Sequence, residues 1–560
     1  MQASEELLNS LRRPGVLPGS EDGVELIETH ISWVLLAGEH AWKLKKPLDL
    51  GFLDFSTPAR RREACEAEVR LNRRTVPEIY EAVVAVRGSP QAPRLAGDER
   101  GGVPIGAEGH PGAATATPGG DGDATCGEPF DYLVRMRRFD QAGLFSRLID
   151  EGGLTPALFD RLARHVAAFH AAAAVAQPGD GFGDAAAVHA PVRQNFAQMR
   201  TRVDDADLLA LLDRVEAWAE AQFAVLAPLF EARLAAGRVR ECHGDLHLGN
   251  LIVLDGAPRL FDAIEFSATL RWTDVIADVA FLLMDLQARG RPGLGWRFLN
   301  AWLERCGDYA GLRVLPYYLS YRAMVRAKIA VIRAAQVGGA ARAESLAECR
   351  RYLVLAEAQT APAAPALLIA CGPSGAGKTS QSQALVEAGG VIRVRADVER
   401  KRLAGLAPEA ASGSALGGGL YSAAMTARTH AHLAEAARAV VAAGRPVLVD
   451  ATFLKRAQRR VFAELAATLG VPFVILAFDA PPALLRARVR SRIAAGGDAS
   501  EADEAVLEAQ LRSREAFEGE ELACVLSIDT RAAPDWRDLL RALSRLWPGA
   551  PAVDRLSAGP

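Results

Sequence analysis

Three side chains near the middle of the chain have the types and spacing that one reaction needs. The stretch Cys242-His243-Gly244-Asp245-Leu246-His247-Leu248-Gly249-Asn250 runs into a strand-like Leu251 to Leu254, a turn at Asp255-Gly256, and Arg259-Leu260-Phe261-Asp262. The carboxylate of Asp245 can accept the proton of an attacking hydroxyl, while Asn250 and Asp262 offer the hard oxygen atoms that Mg²⁺ prefers. Transfer of a phosphoryl group to a hydroxyl would use all three, with the hairpin setting their separation. A second stretch, Gly372-Pro373-Ser374-Gly375-Ala376-Gly377-Lys378-Thr379, fits Gly-x-x-x-x-Gly-Lys-[Ser/Thr] in full. It follows a short apolar strand, Leu367 to Cys371, and opens a helical run from Ser380 to Ala388. In that context the backbone N–H groups of Gly372, Ser374, Gly375, Ala376, Gly377 and the helix start at Ser380 receive the phosphates of ATP. Lys378 reaches the β- and γ-phosphates, and Thr379 ligates Mg²⁺.

The flanking elements must hold these groups. Val24 to Ile27, Ser32 to Leu36 and His40 to Lys45 alternate as strands, and Thr57 to Arg74 reads as the next helix. Val83 to Val86 and Phe130 to Phe139 follow as strands. Between them residues 89–128 are dominated by Gly, Pro, Ala and Asp without periodic apolar positions, which predicts a disordered surface insertion. From Leu154 the pattern turns helical, with segments at 158–174, 196–203, 205–236, 275–286, 317–335 and 343–358. Past a proline-broken connector at 358–365, strands at 367–371, 391–394, 446–449, 473–478 and 524–528 alternate with helices, the signature of a parallel sheet. Asp450 ends the third of these, where a Walker-B-type carboxylate binds Mg²⁺ directly or through water. Asp397 follows the second, on the ligand side of such sheets.

In its His243-Gly244-Asp245 form, with Asn250 downstream and Asp262-Ala263-Ile264-Glu265 in place of Asp-Phe-Gly, the first motif resembles the aminoglycoside phosphotransferase and choline kinase branch of the kinase-like fold. That resemblance implies a two-lobed protein-kinase-like domain, with catalytic Asp245 and metal-binding Asn250 and Asp262. It also implies a third-strand lysine paired with a glutamate of the following helix. Trp42-Lys43-Leu44-Lys45 aligns with the family's Val-Ala-Ile-Lys at Lys45, with Lys43 on the same strand face as the alternative; Glu68 or Glu66 is the partner. Only seven of the 65 basic residues are lysines, and three stand together at 43, 45 and 46, which suggests a need for a compact ammonium there. Asp278 is implied as a brace of the catalytic loop. The stretch Arg395-Ala396-Asp397-Val398-Glu399-Arg400-Lys401 resembles small P-loop kinases, in which such an aspartate meets the acceptor hydroxyl. Arg486, Arg488, Arg490 and Arg492 resemble their arginine-bearing lid or form a solvated helix face, Arg488 being the expected nucleotide contact.

At 560 residues the chain exceeds one core. The expected division is a kinase-like domain at 1–357 (small lobe 24–138, large lobe 139–357), the 358–365 linker, a P-loop kinase domain at 366–548, and a disordered tail at 549–560. A formal charge of −3 without a basic stripe argues against a nucleic-acid partner, including the acceptor of a polynucleotide end kinase. The start lacks a secretory pattern and no apolar run approaches ~18 residues, so neither export nor a membrane span is expected. Seven dispersed cysteines, never in a Cys-x-x-Cys pair, fit a reducing cytoplasm and no zinc site. The expectation is an enzyme with two ATP- and Mg²⁺-dependent sites for small hydroxyl compounds. Its alternative is a P-loop kinase regulated by a non-catalytic nucleotide-binding first domain.

Overall fold

The computed structural model describes residues 2–49, 51, 53–96, 128–361, 364–412, 418–496, 498–552 and 554. By packing, the chain divides into two compact units. Residues 1–154, 173–182 and 239–273 form the first; 155–172, 183–238 and 274–560 form the second. The expected connector at 358–365 lies inside the second unit.

The first unit is built on one sheet in the order β1-β2-β3-β6-β4-β5: β1 (Glu25–Glu28), β2 (Ser32–Ala37), β3 (His40–Lys45), β4 (Tyr80–Ser89), β5 (Ala92–Ala96) and β6 (Asp131–Arg137). All neighbours pair antiparallel. One face packs Trp33, Leu35, Trp42, Leu44 and Leu133 under helix α1 (Gln2–Leu11), which contributes Leu7 and Leu11. The other face carries Lys43 and Lys45 together with Ala41, Val134 and Met136, because side chains alternate along a strand. Helix α2 (Pro58–Asn72) is started by Thr57, whose hydroxyl accepts from Arg60 N–H, with Pro58 in the first turn. It buries Cys65, Val69 and the carboxylate-bearing Glu68. Residues 92–96, expected within a disordered insertion, form β5: their backbone completes a ladder with β4, a pairing that weak apolar patterning does not announce. The rest of that insertion, 97–127, lies outside the described residues. The hairpin of β7 (Leu251–Leu254) and β8 (Ala257–Leu260) turns at Asp255 and Gly256, with φ of 48° and 71°. Two positive φ values in a two-residue loop match the right-handed twist of the flanking strands.

The second unit contains the helices α3 (Pro156–Ala172), α4 (Ala185–Arg200), α5 (Ala206–Ala235), α6 (Val275–Ala288), α7 (Pro292–Cys306), α8 (Leu315–Gln336) and α9 (Gly339–Ala358). Asp205 and Asp274 cap α5 and α6. Arg233 of α5 ties that assembly together, its guanidinium meeting Asp274 at 2.5 Å and Asp308 at 2.8 Å. A five-stranded parallel sheet follows in the order β10-β11-β9-β12-β13, from β9 (Leu367–Cys371), β10 (Ile392–Arg395), β11 (Val447–Asp450), β12 (Phe473–Asp479) and β13 (Val525–Asp529). Its central strands are wholly buried, as their continuous apolar runs require. Helices α10 (Ala396–Leu403), α11 (Ala423–Ala442), α12 (Arg456–Leu469), α13 (Pro482–Ala495), α14 (Glu504–Ser513) and α15 (Trp536–Leu546) connect and cover it. Of the expected disordered tail at 549–560, residues 553 and 555–560 lie outside the described residues. Pro551 is buried and Ala550 packs against the core that contains Trp547.

Among the described residues, no helix is long and apolar enough to cross a membrane.

Candidate active sites

In the first unit the Asp245 loop is held by its own polar groups. Asn250 Nδ2 donates to both the carboxylate and the carbonyl of Asp245 at 3.0 Å, leaving the amide oxygen as the atom available to a cation. His243 is fully buried; its Nε2 donates to the Phe261 carbonyl at 2.9 Å and its Nδ1 accepts the Asp245 N–H at 3.3 Å. Phe261 N–H in turn reaches the Asn250 carbonyl at 3.1 Å, so the loop and the residue before Asp262 are locked to one another. Gly244 has φ +83°, and a Cβ there would sit 3.2 Å from the Leu270 carbonyl and Arg271 Cα, so only glycine fits. Asp262 itself has φ +61° and donates its N–H to Tyr80 Oη at 3.2 Å. A left-handed non-glycine residue costs free energy, and such strain clusters at functional positions.

The lysines divide their work in a way that sequence spacing could not show. Lys45, expected to hold nucleotide phosphates, is completely enclosed: its ammonium lies 2.7 Å from Glu68 and also bonds Glu265. Lys43 bonds Glu68 at 2.7 Å and Asp262 at 2.6 Å. Asp262 is 43% exposed, so Lys43 stands at the open side of the cluster and Lys45 beneath it. Glu66, the alternative partner, pairs instead with Arg62 on the surface at 2.8 Å. Burial opposes ionisation of Glu68, yet the ammonium groups of Lys43 and Lys45 outweigh it and hold its pKa at about 2. Burial raises that of Glu265, with Lys45 only partly offsetting it and Glu68 adding to it. Two ammonium groups face three carboxylates, Glu68, Glu265 and Asp262, of which Asp262 is the exposed member. A pocket of about 390 Å³ is lined by Glu25, Leu36, Glu39 and residues 137–141, where the expected small lobe gives way to the large one.

In the second unit, Gly372, Gly375 and Gly377 have φ of +150°, +80° and +81°. A Cβ on Gly372 would lie 2.4 Å from the Phe478 carbonyl, and one on Gly375 2.8 Å from the Leu485 carbonyl. The loop therefore presses its backbone against β12 and α13. Ser374 N–H meets Gln510 Oε1 at 2.7 Å, and Ser380 Oγ meets the Gly377 carbonyl at 3.2 Å. Lys378 Nζ donates to the Gly372 and Pro373 carbonyls at 2.9 Å. Its burial lowers its pKa, against the charges of Asp450 and Asp397. Thr379 Oγ1 lies 2.5 Å from Asp450 Oδ2, so the hydroxyl and the strand-end carboxylate form a joint oxygen pair suited to a hard divalent cation. Asp397 sits in the first turn of α10, partly exposed, with Arg400 at 3.1 Å.

Arg488, the expected nucleotide contact, lies beside the phosphate loop. Its guanidinium binds the Gly375 carbonyl at 3.3 Å and the Thr530 carbonyl at 2.5 Å, bracing the loop from behind. Arg492, one turn on, donates to the Ala502 carbonyl at 2.7 Å, and its charge is felt at Lys378. Arg486 and Arg490 pair with Glu508 and Glu504 on the surface. Asp278 meets His170 Nε2 at 3.0 Å. Sequence reasoning passed over Glu265, Tyr80, Arg393, Arg395 and Glu304. A signal existed for two of them: arginine at alternate positions of a buried strand, Ile392-Arg393-Val394-Arg395, is rare unless paired.

Residues 133–315 match the model of the Phosphotransferase enzyme family, and residues 367–517 that of an AAA domain. The uncharacterized protein Rv2004c of Mycobacterium tuberculosis is 29% identical over 496 residues, covering 89% of this chain and 91% of its own; a Mycobacterium bovis protein matches equally. Among solved structures, a choline/ethanolamine kinase family protein from Mesorhizobium loti is 14% identical with a TM-score of 0.34, covering 64% of this chain and 100% of its own. A sugar kinase from Janibacter sp. HTCC2649 is 24% identical with a TM-score of 0.26, covering 34% and 98%. The chain is thus a phosphotransferase that carries, one after the other, an aminoglycoside-phosphotransferase-like domain of protein-kinase-like fold and a P-loop kinase-like domain.

Proposed function

We propose that the protein is an ATP-dependent phosphotransferase with two Mg-ATP sites, each passing a phosphoryl group to a hydroxyl of a small molecule. The observation that carries this reading is duplication: each domain has its own ammonium, metal-directed oxygens and acceptor-side carboxylate. In the first, Lys43 bridges Glu68 and Asp262 while Asn250 is bonded to Asp245. In the second, Lys378 and the Thr379–Asp450 pair stand with Asp397.

Lys43 is the residue we assign to the nucleotide phosphates, because its ammonium adjoins the partly exposed Asp262, whereas Lys45 is sealed in. Lys45 keeps Glu68 ionised and oriented. Mg²⁺, when bound at the Asn250–Asp262 and Thr379–Asp450 oxygens, supplies positive charge that offsets the charge on the β- and γ-phosphates. Asp245 accepts the proton of the acceptor hydroxyl as its oxygen forms a bond to the γ-phosphorus; the bond to the β,γ-bridging oxygen breaks and ADP leaves. Asp397 does the same in the P-loop domain. Backbone N–H groups of the 372–380 loop orient the phosphates, with Lys378 facing them.

The test is incubation of the whole chain with ATP, Mg²⁺ and a panel of hydroxyl-bearing metabolites, read by mass spectrometry. A product 80 Da heavier that forms with Lys378→Ala but not Asp245→Asn belongs to the first site, and the reverse to the second. If no product or ADP ever depends on Asp245, the first domain is a non-catalytic partner.

A further inference from the structure

The P-loop site is not walled by its own domain alone. Strand β10, which leads into Asp397, is the edge of the parallel sheet, and an edge exposes unpaired N–H and C=O groups. Here the edge is covered by one side chain of α7. Asn300 Oδ1 accepts the Arg393 N–H at 2.7 Å and its Nδ2 donates to the Val391 carbonyl at 3.2 Å, imitating a neighbouring strand. One turn further along α7, Glu304 lies 3.6 Å from Arg393 Nη2 and 3.5 Å from Arg395 Nη1. The contact continues down α10. Arg402 donates to the Glu304 and Arg305 carbonyls at 2.6 and 2.9 Å, capping the C-terminus of α7, and to Glu399 at 2.9 Å. Glu399 is fully buried and takes a further bond from Tyr309 Oη at 2.9 Å. The helix carrying Asp397 is therefore fixed on one side by groups from the helical lobe.

Arg393 and Arg395 end at the chemistry. Arg395 stands opposite Asp450 across the β10–β11 ladder, at the carboxyl ends of the strands where ligands bind such sheets. It also reaches Asp498 of the lid side at 3.5 Å. Arg393 donates to the Thr379 carbonyl at 2.6 Å, one peptide from the phosphate loop. Its Nε is buried without a hydrogen-bond partner, as is Glu304 Oε1, so these groups are held by charge rather than by saturated hydrogen bonding.

We propose that Glu304, a helical-lobe residue, is a positioning residue of the P-loop site: it holds Arg393 and Arg395 beside Asp450 and Asp397, so that the P-loop kinase is completed by the domain that precedes it. This rests on the reading of the P-loop half as a working kinase. A guanidinium without its carboxylate would swing toward Asp450, Asp397 or Asp498 and disturb the oxygens meant for the cation. The isosteric Glu304→Gln variant removes the charge and leaves the volume.

The test uses the full chain with Asp245→Asn, so that ADP release from ATP, with water as acceptor, reports the P-loop site. Glu304→Gln, assayed below its melting transition, should lower kcat at least tenfold with KM for ATP within twofold. Glu304→Asp, which restores the charge, should recover part of the loss. Adding Glu304→Gln to a chain that carries both Arg393→Gln and Arg395→Gln should cost no more than the two arginine changes alone, because Glu304 acts through them. Wild-type kcat in Glu304→Gln, or a further loss when it is added to the two arginine changes, would overturn the proposal. If ADP release in this background is absent or survives Lys378→Ala, the P-loop reading itself fails, and Glu304 has nothing to position.

Discussion

Exchanging Lys43 and Lys45 singly for methionine separates a phosphate ligand from a structural ion. Lys45 has a side chain with no exposed surface and two carboxylate partners, Glu68 and Glu265, that are 0% and 4% exposed. Lys45→Met leaves those carboxylates buried with Lys43 as their remaining ammonium. Removing one partner of a buried ion pair costs about 3–5 kcal/mol, and here two partners are left short. For a folded unit of about 150–250 residues, at roughly 2–4 °C per kcal/mol, the melting temperature of the first unit should fall by about 6–20 °C. Lys43→Met leaves Asp262 partly in water and Glu68 still paired with Lys45, so its cost should be smaller, about 1–2 kcal/mol. Nucleotide binding should show the opposite order. A charge-assisted bond to phosphate contributes about 1.5–3 kcal/mol, so Lys43→Met should weaken ATP binding roughly 10- to 150-fold, while Lys45→Met measured below its transition should change it less than about threefold. Both constants are obtained by titrating ATP in a Lys378→Ala background, with melting followed in parallel. Normal binding by Lys43→Met beside abolished binding by Lys45→Met would refute the assignment and return the phosphates to Lys45.

Three further outcomes follow from the same geometry. Gly244→Ala places a Cβ at φ +83° against the Leu270 carbonyl, so turnover dependent on Asp245 should fall more than about tenfold while turnover dependent on Lys378 is unchanged. Gly372→Ala puts a Cβ 2.4 Å from the Phe478 carbonyl and should abolish the Lys378-dependent activity; a normal rate would show that the loop opens in solution. The stability cost of Glu68→Gln should depend on pH. Because the native pKa is held at about 2, below the ordinary 4.5, the stabilising contribution is full above 4.5 and disappears as pH falls toward 2, so unfolding curves of the two proteins should converge across that window.

The motifs were legible because each is local: Asn250 comes five positions after Asp245, and the phosphate loop is contiguous. The strands followed from alternation and from continuous apolar runs, whereas their order in each sheet rests on pairing between distant segments. What the sequence hid depends on depth or on distant contacts. Lys43 and Lys45 share a strand face, and only the positions of Asp262 and Glu265 decide which is open and which is sealed. Arg488 and Arg492 share a helix, and Arg488 is drawn to Thr530, which the spacing does not contain. Helix α7 was not among the expected helices; Pro292, Gly293 and Gly295 crowd its first turn with poor helix formers. In the structure Pro292 occupies the first turn, and Gly295 admits Leu283, which a Cβ would meet at 3.2 Å. With α7 unseen, Asn300 and Glu304 had no element to place them beside the second site.

The central claim, two separate engines in one chain, is tested most directly by steady-state ADP release from the whole protein and three variants: Asp245→Asn, Lys378→Ala and the double variant. Loss of a positioned base costs roughly 10²–10⁴ in rate. Each single variant should therefore retain the turnover of the untouched site, the two residual rates should sum to that of the parent, and the double variant should be inactive. Complete loss of ADP release in Lys378→Ala alone would contradict the account and leave the P-loop site as the only engine.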